Sequence, residues 1–202
     1  MTRSHLSCSA RRPVLSAALA SACACAALAL FPKEAHAAAF DLGIDGDATA
    51  LVAPDPAGAN LSTLGSGFKI RFGDQFRLRY GIHLTPEVGY AFDHVFPAGA
   101  GYPENMNRFF GGVRLGFGRW VVPTLYAHIG FGFRSIDVPA GTSASDTGFT
   151  FDTGFAVDFR LARHLSIGPH VEYVLMDAPV SGPFGSGGPQ WIAFGGHLDI
   201  LF

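Results

Sequence analysis

Phe149-Thr150-Phe151-Asp152-Thr153-Gly154-Phe155-Ala156-Val157-Asp158-Phe159-Arg160-Leu161 alternates from end to end. Phe149, Phe151, Thr153, Phe155, Val157, Phe159 and Leu161 are apolar or Thr, while the residues between them carry ions or are small. A period of two sends successive side chains to opposite faces of a strand; a helix would bring together residues three and four apart. The stretch is therefore a strand with one oily face and one polar face. The same alternation closes the chain, where Leu198, Ile200 and Phe202 stand opposite Asp199 and Leu201.

Working outward from this run, eight strands can be read. The first sets Phe40, Leu42 and Ile44 against Asp41 and Asp45, and the second sets Phe68, Ile70 and Phe72 against Lys69 and Arg71. A turn at Gly73-Asp74-Gln75 is expected to lead into the third, where Phe76, Leu78, Tyr80, Ile82, Leu84, Pro86, Val88, Tyr90 and Phe92 oppose Arg77, Arg79, His83, Glu87 and Asp93. Phe109, Val113, Leu115 and Phe117 oppose Arg108 and Arg114 in the fourth; Leu125, Ala127, Ile129, Phe131 and Phe133 oppose Tyr126, His128 and Arg134 in the fifth. After the Phe149 to Leu161 run, Leu165, Ile167, Val171, Tyr173 and Leu175 oppose His170 and Glu172, and the last strand opposes Ile192, Phe194, Leu198, Ile200 and Phe202 to His197 and Asp199.

Connection lengths alternate. Long stretches (Thr49 to Gly65, His94 to Asn107, Ser135 to Gly148, Ala178 to Gln190) follow the odd strands, and short ones (Gly73 to Gln75, Gly118 to Trp120, Ala162 to His164) follow the even ones. All long connections then lie at one end of an all-β, antiparallel up-and-down barrel, as in transmembrane barrels with short periplasmic turns and long external loops. The strands also reach the roughly nine to eleven residues that a tilted spanning strand needs.

Energy decides which face meets lipid. Most strand charges share one parity, and each Arg or Lys near the bilayer midplane would cost roughly 2 to 4 kcal/mol on the outside. The charges are therefore expected in the lumen and the apolar parity toward lipid, with girdles of Phe72, Phe76, Phe117 and Trp120 at one edge and Phe92, Phe109, Phe133, Phe149 and Trp191 at the other. The rival is a soluble eight-stranded barrel, in which the alternation is turned inside out. Its exterior would be rich in Gly and poor in the charges that solvate a soluble surface.

The chain has 202 residues. Arg3, Arg11 and Arg12, the Ala- and Leu-rich run from Val14 to Phe31, and Ala35-His36-Ala37 read as a cleavable export signal over 1–37, with a membrane helix and a lipoprotein box at Cys23 as alternatives. The barrel domain is then expected over 38–202. Cys8, Cys23 and Cys25 all precede Ala37, so no disulfide is expected in the exported part. Four of the 14 basic and one of the 16 acidic residues fall in the leader, leaving ten Lys and Arg against fifteen Asp and Glu. That balance offers nucleic acid no basic surface.

From about Ala38 to Phe202 the sequence resembles the small eight-stranded outer-membrane barrel superfamily, porin-like proteins that include the OmpA transmembrane domain and OmpX. The resemblance rests mainly on the last strand, which ends in an aromatic residue with apolar residues alternating before it. Ile200 and Phe202 match the end that the barrel-assembly machinery reads, while His197 stands where a Gly is usual. Leu84-Thr85-Pro86-Glu87-Val88-Gly89-Tyr90 also looks like a mid-barrel strand of this group. The resemblance implies a bacterial outer-membrane location, outer-membrane lipids and the assembly machinery as partners, and a monomer.

The expected lumen network comprises Asp41, Asp45, Lys69, Arg71, Arg77, Arg79, His83, Glu87, Arg114, His128, Arg134, Asp152, Asp158, Arg160, His170, Glu172, His197 and Asp199, with Asp47, Asp93 and Arg108 on the same faces. Acids and bases nearly balance there. Eight strands leave an interior just wide enough for side chains to fill, so a paired polar plug is expected, with a narrow conduit for ions or small solutes as the alternative. A general diffusion pore is excluded because it needs about sixteen strands. His164-Leu165-Ser166 with Glu172 superficially resembles the lipid A deacylases, but Ile167 replaces that family's Asn and Ser166 falls on the lumen parity. No enzyme, cofactor or metal is expected: the eight His are scattered, and the glycine-rich 182–188 stretch precedes no helix. Asp45 and Asp47 share a face that could attract a cation. The loops reveal no surface ligand.

Overall fold

The computed structural model describes residues 36–52, 64–96, 103–137, 143–177 and 188–202, all in one unit from His36 to Phe202. Among them eight antiparallel strands run β1 (His36–Leu51), β2 (Leu64–Arg77), β3 (Ile82–Val95), β4 (Glu104–Phe117), β5 (Val121–Asp137), β6 (Ser143–Ala162), β7 (Leu165–Asp177) and β8 (Gln190–Leu201). Each pairs with its neighbours in sequence, and β1 pairs with β8 from Asp41 opposite Leu201 to Leu51 opposite Trp191, closing the barrel. Closure leaves no unpaired sheet edge, the condition for strands to stand in hydrocarbon. The terminal aromatic belongs to this seam: Phe202 donates its N–H to the Phe40 carbonyl at 2.9 Å, and the two rings lie 6.0 Å apart. The export signal expected at 1–37 lies almost wholly outside the described residues; β1 already begins at His36.

The wall is inside out. Ile44, Val88, Leu125, Ile129, Phe151, Phe155, Phe159 and Phe194 are exposed, whereas Asp45, Lys69, Arg71, Glu87, Arg108 and Glu172 are buried. Asp158 points to the axis and Phe151 and Phe155 away from it, so the soluble alternative is overturned. Glycines on the inner face let rings lie flat across neighbouring strands. A Cβ on Gly154 would stand 2.4 Å from the Tyr126 hydroxyl, and one on Gly89 would stand 2.4 Å from the Phe110 ring.

Three sequence expectations are corrected. Gly73-Asp74-Gln75 is not a turn, because β2 continues to Arg77 and the reversal comes at Arg79–Gly81, with Tyr80 at φ 63° and Gly81 at φ 74°. The third strand therefore starts at Ile82 instead of Phe76, and Arg79 belongs to the turn. Ser135 to Gly148 is not a long loop: the β5–β6 ladder runs on to Asp137 opposite Ser143. Backbone pairing needs no hydrophobic alternation, so this Ser-, Thr- and Gly-rich extension was invisible to a burial pattern. Trp191 does not join a lipid-facing girdle; it points inward, 1% exposed.

Candidate functional site

The lumen is filled in layers from the long-connection end to the short-turn end. Outermost is an apolar cap of Trp191, Met106, Met176, Val174 and Val95, with Leu51 against it. Beneath it the Arg108 guanidinium lies 5.2 Å from the Trp191 ring and donates to Asp152 at 2.9 Å, Asp93 at 3.1 Å and Glu172 at 3.3 Å. Lys69 bonds to Glu172 and stands 3.8 Å from Asp152. Its ammonium is flanked by the Phe110 and Tyr126 rings at 5.3 and 5.6 Å.

His128 joins this layer to the next. Its Nε2 lies 2.7 Å from Glu87 and its Nδ1 lies 2.8 Å from Asp152. Below, Arg71 donates from Nη2 to Asp45 and Asp199, both at 2.8 Å, and from Nη1 to Glu87 at 3.2 Å. Arg114 is held less tightly: its contacts to Glu87, Asp158 and Asp199 run from 3.5 to 3.9 Å, and its Nε and Nη1 make no hydrogen bond. Arg71 and Arg108 therefore each gather three carboxylates in the charge-assisted geometry that makes buried ions tolerable.

Most of the expected network is thus brought together, but its balance changes. Among the described residues nine carboxylates with buried side chains (Asp41, Asp45, Asp47, Glu87, Asp93, Asp152, Asp158, Glu172, Asp199) stand between the rims against four fixed cations, Lys69, Arg71, Arg108 and Arg114. The near-equality read from the sequence fails because four arginines lie at the ends. Arg77, exposed at the end of β2, and Arg79, in the turn, stand outside the network. Arg160 is half-buried at the same mouth, bonding Gln75 at 3.3 Å, and Arg134 pairs with Glu104 at 2.7 Å at the opposite rim. Imidazoles meet several of the remaining acids: His170 reaches Asp47 at 2.5 Å and His197 reaches Asp158 at 2.6 Å. His83 contacts the Gly118 carbonyl at 2.9 Å instead of an acid.

His197, Asp158 and Asp199 converge as a possible metal set, which strand-by-strand reading missed because they come from β6 and β8. Arg114 Nη1 stands 3.9 Å from both carboxylates and already supplies the cation. Of the residues in the superficial deacylase likeness, His164 contacts the Leu201 carbonyl at 2.9 Å from an exposed turn, Ser166 is buried in the lumen, and Glu172 belongs to the Lys69 layer. Sequence reading also missed the cap. Its signal was present, since Met106, Val174 and Met176 occupy the parity of the ions.

A closed eight-strand up-and-down barrel with an apolar exterior and an ion-filled core is the fold of the small outer-membrane β-barrels. Among solved structures it is similar to Neisserial surface protein A, at 13% identity and a TM-score of 0.60 over 81% of this chain and 97% of that one. It is also similar to Ail, the attachment invasion locus protein of Yersinia pestis (12%, 0.54, 82% and 99%), and to the outer membrane enzyme PagL (14%, 0.52, 80% and 99%). No protein-family model matches the sequence, and none of the curated proteins does.

Proposed function

We propose that this chain is an integral outer-membrane barrel with a structural or surface-contact role and a lumen that does not conduct. The observation that carries this reading is Arg71, 1% exposed and gripped by Asp45, Glu87 and Asp199, with Arg108 closed in the same way below the Trp191 cap. An ion crossing the lumen would have to break such clusters, and removing one partner of a buried pair costs about 3 to 5 kcal/mol. Outer-membrane lipids against the phenylalanine belt, the assembly machinery reading the Ile200 and Phe202 end, and a monomeric state belong to the same reading. Surface contact would fall to the external loops.

Purified protein in planar bilayers tests it. The expected record shows no stepwise current above the bare membrane; steady unitary currents from the unaltered protein would instead establish the narrow-channel alternative. A non-enzymatic role is supported by the lumenal burial of Ser166 and by the engagement of Glu172 with Lys69 and Arg108. Unchanged acyl chains on outer-membrane lipids after overexpression are the corresponding expectation.

A further inference from the structure

At the short-turn, periplasmic end, two adjoining cavities of about 540 and 440 Å³ share Arg77, Arg119 and Arg160 as walls, and the larger adds Arg163. These side chains come from three places. Arg77 and Arg160 end β2 and β6, Arg119 lies in the β4–β5 turn, and Arg163 lies in the β6–β7 turn. Among the described residues Arg119 and Arg163 make no hydrogen bond or ion pair, and Arg160 has only the neutral Gln75 as a hydrogen-bond partner. Arg77 repels Arg160, while Asp158 and Asp41 attract it from beyond ion-pair distance. The contrast with the other rim is direct, since Arg134 there is held by both Glu104 oxygens at 2.7 Å. Guanidinium groups gathered with no carboxylate of the described residues in ion-pair reach form a receptor for phosphate oxygens, which they bind in bidentate pairs.

The larger cavity is not confined to the lumen axis. Its wall continues onto Trp120 and Leu161, exposed by 74% and 59% on the side of the barrel that faces lipid. A phosphodiester held by the arginines would leave its acyl chains along this apolar wall, and Trp is the residue that favours the headgroup level. A small soluble anion would make no use of that wall. Against these four arginines the exposed carboxylates at this end, among the described residues, are the Asp74 side chain and the Phe202 terminus, so the balance stays positive and a headgroup of net negative charge is favoured over a zwitterionic one. We propose that the Arg77–Arg119–Arg160–Arg163 vestibule is a binding site for the phosphate headgroup of an anionic glycerophospholipid of the periplasmic leaflet.

The test is native mass spectrometry of the whole barrel released from vesicles of equal phosphatidylglycerol and phosphatidylethanolamine. The protein should retain phosphatidylglycerol in preference. Arg119→Gln with Arg163→Gln should weaken that retention on the order of thirtyfold, at about fivefold per arginine near a membrane surface. Arg119→Lys with Arg163→Lys should keep most of it. Both changed positions lie in exposed turns, and heat-modifiable gel mobility checks that each variant is folded. Equal retention of the two lipids, or a preference unaltered in the glutamine variant, would overturn the proposal. Binding of inorganic phosphate to detergent-solubilised protein without any lipid preference would also overturn it, making the vestibule a site for free anions.

Discussion

Removing the guanidinium in Arg71→Met would leave Asp45, Glu87 and Asp199 facing one another around an apolar side chain. A buried pair broken from one side costs about 3 to 5 kcal/mol, so the urea midpoint for unfolding from lipid vesicles should fall sharply. Arg114→Met should cost clearly less, because that side chain sits 3.5 to 3.9 Å from its carboxylates. Equal losses at the two positions would mean that the layers are not graded as the distances imply. At this scale the sequence was informative about direction and silent about partners. Parity places Arg71 and Glu87 on the inner face, but only barrel closure brings Asp199 of β8 within 2.8 Å of Arg71 of β2.

Strands and turns differ in how far they can be read. Strands such as β6 were legible because one face is buried in lipid and the other in the lumen, so every position carries a burial signal. The first turn was misplaced because Gly73, Asp74 and Gln75 look like turn residues, yet the backbone bends where Tyr80 and Gly81 adopt positive φ. The β4–β5 turn was located correctly at Gly118, whose φ of 126° lies where side chains are rarely tolerated. A Cβ there would also stand 2.5 Å from the Val121 carbonyl. Gly118→Ala should therefore destabilise the barrel by about 1 to 3 kcal/mol, read as a lower urea midpoint with an unchanged folded circular-dichroism spectrum. An unaltered midpoint would show that the turn can relax.

For the molecule as a whole, the inverted wall makes a prediction that no single contact makes. Ile129, 64% exposed in the middle of β5, should tolerate other apolar residues, whereas Ile129→Arg should lower stability by roughly 2 to 4 kcal/mol in vesicles. If the arginine were harmless there, that face would be in water and the outer-membrane location would fall. The sequence alone determined the strand number, the up-and-down order and the inward direction of charge, because alternation and connection length are local properties of the chain. The tertiary structure decided how the charges pair, that acids exceed fixed cations between the rims, that Trp191 caps the lumen and that arginines crowd the short-turn mouth. Those features depend on strand tilt and register, which bring residues far apart in the chain to one level of the axis. No local pattern of residues encodes that level.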